Sequence, residues 1–151
     1  MIDPAFVGYE TRPHTQMVEA GRLRFFAKTI GEDNPVYLDE GAAQAAGWPS
    51  LPVLPTFLFC LDLERDDPLD YMTALGIELG KVLHGEQHFD YHRMVCAGDR
   101  LTFRSRVTDI YQKKAGSLEF VVRETAVFRE NGGPTPERVA DLRSTIIIRH
   151  R

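Results

Sequence analysis

The chain has 151 residues, 43% hydrophobic and 26% charged, and its 18 basic and 22 acidic side chains leave a net charge of −4. That is the length and composition of one globular domain with a sizeable core, so a fibre or a disordered chain is excluded. There is no basic stripe to meet nucleic acid, and no apolar run approaches the ~18–20 residues of a membrane-spanning helix.

Met1-Ile2-Asp3-Pro4 lacks the basic-then-apolar pattern of a secretory signal, so a cytoplasmic protein is expected. Cys60 and Cys96 lie in apolar surroundings without a CxxC spacing and read as buried, reduced thiols.

Val7 to Val18 reads as an extended lead-in. Val18, Leu23, Phe25, Phe26 and Ile30 then follow helical spacing, and Gly31 is a plausible stop. Gly31-Glu32-Asp33-Asn34-Pro35 is a loop, because Pro35 disfavours helix at Asn34. Asp39 is a good N-cap for a short helix over 40–46. Three prolines, Pro49, Pro52 and Pro55, break the next segment. Thr56 is then placed to cap Phe57-Leu58-Phe59-Cys60-Leu61-Asp62-Leu63, which is apolar nearly all round and is expected to be a buried helix. Leu69 to Leu75 reads as another short helix, ending at Gly76.

From Leu83 the hydrophobic period changes to two. Strands are expected from there through His92, over Leu101–Tyr111, over Leu118–Arg129 and over Arg138–Arg149. Turn signals at Ala97-Gly98-Asp99, Lys113-Lys114-Ala115-Gly116 and Glu130-Asn131-Gly132-Gly133-Pro134 separate them. Strands joined by such short turns are antiparallel neighbours. Their apolar face needs cover, and segment 56–64 is the obvious cover. The expectation is an α+β fold, a curved antiparallel sheet wrapped around a central helix, in a single domain over 1–151.

Gly31, Asn34, Pro35, Val36 and Asp39 stand as they do in the loop of the MaoC-like hydratase/dehydratase family, which the chain resembles. The stretch from Gly47 to Phe57 resembles the family's N-terminal-type domains. So does His84-Gly85-Glu86-Gln87-His88-Phe89-Asp90-Tyr91-His92-Arg93 with its following Ala97-Gly98-Asp99 turn. The resemblance spans essentially the whole chain and implies the hot-dog fold. It also implies an acyl thioester of coenzyme A or acyl carrier protein as substrate, with no cofactor. The reaction it implies is reversible addition of water to a 2-enoyl thioester.

The chain departs from that family where the chemistry sits. The family's loop carries an Asp and a His, five residues apart, that share the proton work on one water. Here those positions hold Glu32 and Tyr37. A Glu still serves as a base, but a Tyr with a pKa near 10 does not replace a His shuttle at neutral pH. Glu32 and Asp33 are therefore candidate bases, with Tyr37, His84 and Glu86 as further candidates. The alternative reading is that Asn34 and Pro35 shape an overhanging turn, with Glu32 and Asp33 solvated. By resemblance, a chain without the pair is a channel-shaping subunit.

The resemblance also places the N-terminus of the central helix, Pro55-Thr56-Phe57, at the thioester carbonyl, where helix N–H groups suit an oxyanion. Asn34, Pro55, Thr56 and Phe57 are the candidate substrate contacts. Phe57, Phe59 and Trp48 suit an apolar channel or plain core packing. Arg93, Arg100, Arg104 and Arg106 suit coenzyme A phosphates, an acidic carrier protein or a solvated strand face.

His84, Glu86, His88, Asp90 and His92 alternate and should share one strand face. Neighbours at that spacing spread over ~6–7 Å, too far for one ion without a third element, so no metal is expected. No nucleophile elbow, P-loop or dinucleotide fingerprint occurs. A lone hot-dog layer leaves a sheet edge open, so a homodimer, or a heterodimer with a catalytic MaoC-like chain, is expected. Two further readings remain: a hot-dog thioesterase in which Glu32 or Asp33 turns water on the carbonyl, and a non-enzymatic acyl-binding pseudo-subunit.

Overall fold

A computed structural model describes residues 1–130 and 133–150 of the chain. Asn131 and Gly132, at the expected last turn, lie outside the described residues. The strands are β1 (His14–Met17), β2 (Val82–Tyr91), β3 (Arg100–Lys113), β4 (Leu118–Arg129) and β5 (Glu137–Arg149). The helices are α1 (Ala20–Thr29), α2 (Glu40–Ala45), α3 (Phe57–Asp62) and α4 (Asp70–Ala74). The strands form one antiparallel sheet in the order β1-β3-β4-β5-β2, so β1 and β2 are its edges. This is the hot-dog arrangement expected above, with α3 as the central helix.

The local signals mostly act as read. Asp39 is extended and its carboxylate accepts the Ala42 N–H at 2.8 Å, capping α2. Gly76 follows α4 with φ +69°, the left-handed geometry that favours Gly after a last turn.

Thr56 departs from expectation. Its hydroxyl caps nothing, because its backbone is already helical at φ −94°, ψ −5°. An N-cap side chain reaches back only from an extended backbone.

The sheet's inner face is not uniformly apolar. On β4 the buried set is Glu119, Val121, Arg123, Thr125 and Val127, while Phe120 and Val122 lie half-buried on the outer face. Two of those five inner positions carry charge, which strand periodicity alone does not anticipate. A bulge between Val107 and Asp109 on β3 turns Asp109 out of the buried row.

The apolar interior has two parts. α3 packs over Leu101, Phe103, Val127, Val139, Ala140 and Leu142. A second cluster, around Val107, Val121, Ile146 and Ile148, is covered by Tyr71 and Met72 of α4 with Leu75, Ile77 and Ile2. Segment 56–64 therefore covers half the sheet, not all of it. A helix of six residues is only about 9 Å long, shorter than the strands it crosses. Between the two clusters Arg123 meets Asp62, the last residue of α3, at 2.5 Å.

Candidate active site

The loop after α1 is shaped by its own side chains. Asn34 Oδ1 accepts the Val36 N–H at 3.1 Å and holds a single 3-10 turn over Pro35–Tyr37. Glu32 Oε1 accepts the Asn34 N–H at 2.9 Å. The Glu32 carboxylate thus serves as a local acceptor in the turn. Asp33 and Asn34 are exposed. Tyr37 is half-buried and packs against the cluster under α3, beside Leu38 and Trp48. Its ring does a core residue's work.

At the start of α3, Pro55 and Thr56 are exposed while Phe57 is buried, its ring 5.1 Å from Phe26. Pro55 lines a cavity of about 280 Å³ with Val53, Tyr91, His92, Arg93, Met94 and Val95. Tyr91 is stacked on Phe89 at 6.0 Å. Desolvation pushes the Tyr91 hydroxyl up to about 12, so it stays protonated and can donate. Tyr91 belongs to the β2 alternation, but only the fold brings it beside Pro55.

β2 does not keep its five polar residues on one face. The register slips at Gly85: His84 pairs with Ile146 and Glu86 with Thr145. His84 lies on the α3 side of the sheet, where it stays exposed and stacks on Phe59 of α3 at 5.4 Å. Glu86 pairs instead with a residue of the outer-facing rows, as His88 and Asp90 do; the latter two are bonded at 3.3 Å. Gly85 fits because a Cβ there would lie 2.9 Å from Ile147 Cδ1 and 3.1 Å from the Thr145 carbonyl. His84 and Glu86 are therefore on opposite faces and cannot assist the same proton transfer within one chain. Among the described residues no hydrogen bond or ion pair joins Glu32, Asp33 or Tyr37 to His84 or Glu86, and no three potential ligands converge on a metal position.

The cationic candidates spread out. Arg100 pairs with Glu130 at 2.9 Å and Arg93 with Glu137 at 3.3 Å. Arg104 lies over the Phe128 ring at 5.0 Å on the outer face, where it lines a groove with Arg106. Cys96 is buried and Cys60 half-buried, and both are free thiols. Desolvation raises the pKa of each thiol, which disfavours the nucleophilic thiolate.

The family model of the FAS1-like dehydratase domain region matches residues 5–138. The chain belongs to that family. Among relatives of this FAS1-like dehydratase-region chain, a UPF0336 protein of Saccharopolyspora erythraea is 35% identical over 98% of this chain and 92% of its own length. A UPF0336 protein of Streptomyces avermitilis is 40% identical over 72% of this chain and 73% of its own. In fold the chain is similar to the C-terminally truncated HadBC (3R-hydroxyacyl-ACP dehydratase) complex of Mycobacterium tuberculosis. There the TM-score is 0.78 and the identity 24%, over 94% of this chain and 96% of that one. It is also similar to the ChsH1-ChsH2 complex of the same organism, with TM-score 0.72 and 21% identity over 93% of this chain and 84% of that one. The MaoC-like hot-dog assignment read from the loop motif is met by both family and fold. Among the described residues no helix is long and apolar enough to cross a membrane.

Proposed function

We propose that this chain is an acyl-thioester-binding subunit of a hydratase/dehydratase, and that a second MaoC-like chain supplies the acid–base pair. The observation that carries the reading is the state of the loop. Glu32 accepts the Asn34 N–H, Tyr37 is half-buried against the core, and among the described residues neither is paired with a group that would move a proton with it. What remains is suited to binding: an apolar cavity at the N-terminal end of α3, one hydroxyl donor in it from Tyr91, and an open β2 edge beside it.

The substrate class is a 2-enoyl or 3-hydroxyacyl thioester of coenzyme A or of acyl carrier protein. The partner joins along β2, whose outer row of backbone groups is unpaired in the sheet order. HadBC and ChsH1-ChsH2 are complexes by name, and a two-chain arrangement here follows that precedent. The site is intracellular in this reading, where such thioesters are made and used.

The test is crotonyl-CoA hydration, followed as loss of enoyl absorbance. The purified chain alone is expected to be inactive. The complex with a co-purifying chain that carries the Asp/His pair is expected to be active. Glu32→Ala should leave the rate of the complex within about twofold, whereas removing the partner's His should cost on the order of 10²–10⁴-fold. Hydration by the isolated chain that Glu32→Ala abolishes would overturn the reading. Thiol release without hydration would turn it to a thioesterase.

A further inference from the structure

Apart from Glu119 near one end, the inner face of the sheet is apolar toward both ends and polar across its middle. Ser105 and Thr125 face each other there and share a hydrogen bond of 2.7 Å. In the next transverse row Arg123 is opposite Ser144, and Ser144 is opposite Gln87 of the β2 edge. Asp62 descends from the end of α3 onto Arg123, and the Tyr71 ring lies 5.1 Å from the guanidinium. The Arg123 and Asp62 side chains are 5% and 1% exposed.

This belt is under-satisfied. Gln87 Oε1, Asp62 Oδ1, Arg123 Nε and Nη1, and His14 Nδ1 are buried without a hydrogen-bond partner among the described residues. An apolar group pressed against such atoms forfeits their hydrogen-bonding capacity, at a cost of ~1–3 kcal/mol for each neutral group and more for a charge.

On the acyl-binding reading, a chain that enters at the cavity and runs inward along α3 and β2 would meet this belt. α3 and β2 lie side by side: Pro55 and Tyr91 share the cavity at one end, and Phe59 stacks on His84 further along. Going inward from the cavity, β2 presents Tyr91, then Phe89, which packs against the cluster under α3, then Gln87. From Tyr91 to Gln87 is four residues, about 13 Å of strand. For that distance the wall is aromatic; at Gln87 it turns polar, with Arg123 two strands behind.

We infer that the belt of Asp62, Arg123 and Gln87 is an end stop that limits the length of the acyl chain this protein accepts. The inference rests on the acyl-binding reading above and adds a specificity-determining element to it. A short or medium chain lies wholly against Tyr91, Phe89 and α3. A longer one has to press methylenes onto an ion pair and a lone amide oxygen, or leave them in water.

The test is calorimetric binding of butyryl-, octanoyl-, dodecanoyl- and palmitoyl-CoA to the full chain as purified, with the dyad-bearing partner it retains. For the wild type, Kd should fall from butyryl to octanoyl and then stay within about threefold through palmitoyl. Asp62→Leu with Arg123→Met replaces the pair by apolar side chains, an exchange that buried ion pairs commonly tolerate. Palmitoyl-CoA should then bind at least tenfold tighter than octanoyl-CoA. Gln87→Leu leaves the pair intact and sits on the sheet edge, so it carries the test if the double variant does not fold. It should move the plateau toward dodecanoyl-CoA. Wild-type affinity that keeps rising through palmitoyl, or folded variants with the wild-type profile, overturns the end stop and leaves acyl binding standing. Binding at no length by any of the proteins overturns acyl binding, and the end stop with it.

Discussion

Arg123 sets a guanidinium on the inner face of the sheet's middle strand, with Asp62 as its ion partner and Tyr71 over its plane. Removing one member of such a pair leaves the other charged, buried and unpaired. Arg123→Ala should therefore cost roughly 3–5 kcal/mol in urea unfolding. Asp62→Leu with Arg123→Met should unfold at the wild-type midpoint or above it. The contrast separates the cost of a broken pair from the net value of an intact one. The sequence showed Arg123 as one of many arginines in a strand. Nothing in its own segment distinguishes a buried charge from a solvated one, because the partner lies 61 positions away on a helix.

Asp39 and Thr56 both stand at predicted helix N-caps, and the structure separates them. Asp39 is extended and its carboxylate takes the Ala42 N–H, so Asp39→Ala should lower stability by about 1 kcal/mol. Thr56 is helical in backbone and caps nothing. Thr56→Ala should cost only a few tenths of a kcal/mol, well under the ~1 kcal/mol of a working cap. Matched urea melts of the two variants check the difference. The residue types were equally good signals. What differs is the chain before them: Thr56 follows Pro55 in a turn where Phe57 N–H already bonds the Leu54 carbonyl at 3.0 Å.

The elements were legible in order and nearly in extent. The helices after Val18, Asp39, Thr56 and Leu69 and the four long strands all appear where the hydrophobic periods place them. The slip at Gly85 was not legible. His84-Gly85-Glu86 reads as plain alternation, and the bulge exists because Gly85 must pass Ile147 and the Thr145 carbonyl of a strand sixty residues on. That one extra residue sends His84 toward α3 and takes it out of the polar row, leaving Glu86, His88 and Asp90 together on the other face.

At the scale of the whole molecule, two titratable groups, the half-buried His14 and the buried Glu119, make the fold sensitive to acid. Burial of His14, between Phe103 and the Leu61 carbonyl, lowers its pKa below the ordinary 6.5. The unfolded chain takes up that proton first, so stability is full above 6.5 and falls as pH drops toward the lower folded value.

Glu119 is 0% exposed and ties both chain ends to the sheet, accepting the Ile2 N–H at 3.0 Å and meeting His150 Nε2 at 2.9 Å. Burial alone would raise its pKa. The hydrogen bonds from His150, Ile2 and Gln112 outweigh that and bring it below the ordinary 4.5. Its contribution is present above 4.5 and is lost as pH falls through the folded value. The urea midpoint should therefore decline in two stages, below 6.5 and again below 4.5. His14→Gln should remove the first stage, and Glu119→Gln should reduce the second, to which Asp141, with its pKa also lowered by His92 and Arg138, contributes as well. A midpoint flat from neutrality to pH 5 in the wild type would contradict the His14 assignment.

The sequence by itself determined what depends on local pattern. The change of hydrophobic period at Leu83 set the α+β class, the glycine and proline signals set the turns, and the loop around Asn34 and Pro35 pointed to the family. It also exposed the substitution of Glu32 and Tyr37 at the two positions where that family places its proton-transfer groups. The tertiary structure alone decided what those residues do: Glu32 closes its own turn and Tyr37 packs half-buried against the core. It alone split the interior into two apolar halves under α3 and α4, with Arg123, Asp62 and Gln87 between them. The reason is physical. Periodicity records which face of an element is buried, but a buried charge, a bulge or a lone acceptor is defined by its neighbours, and those come from distant parts of the chain.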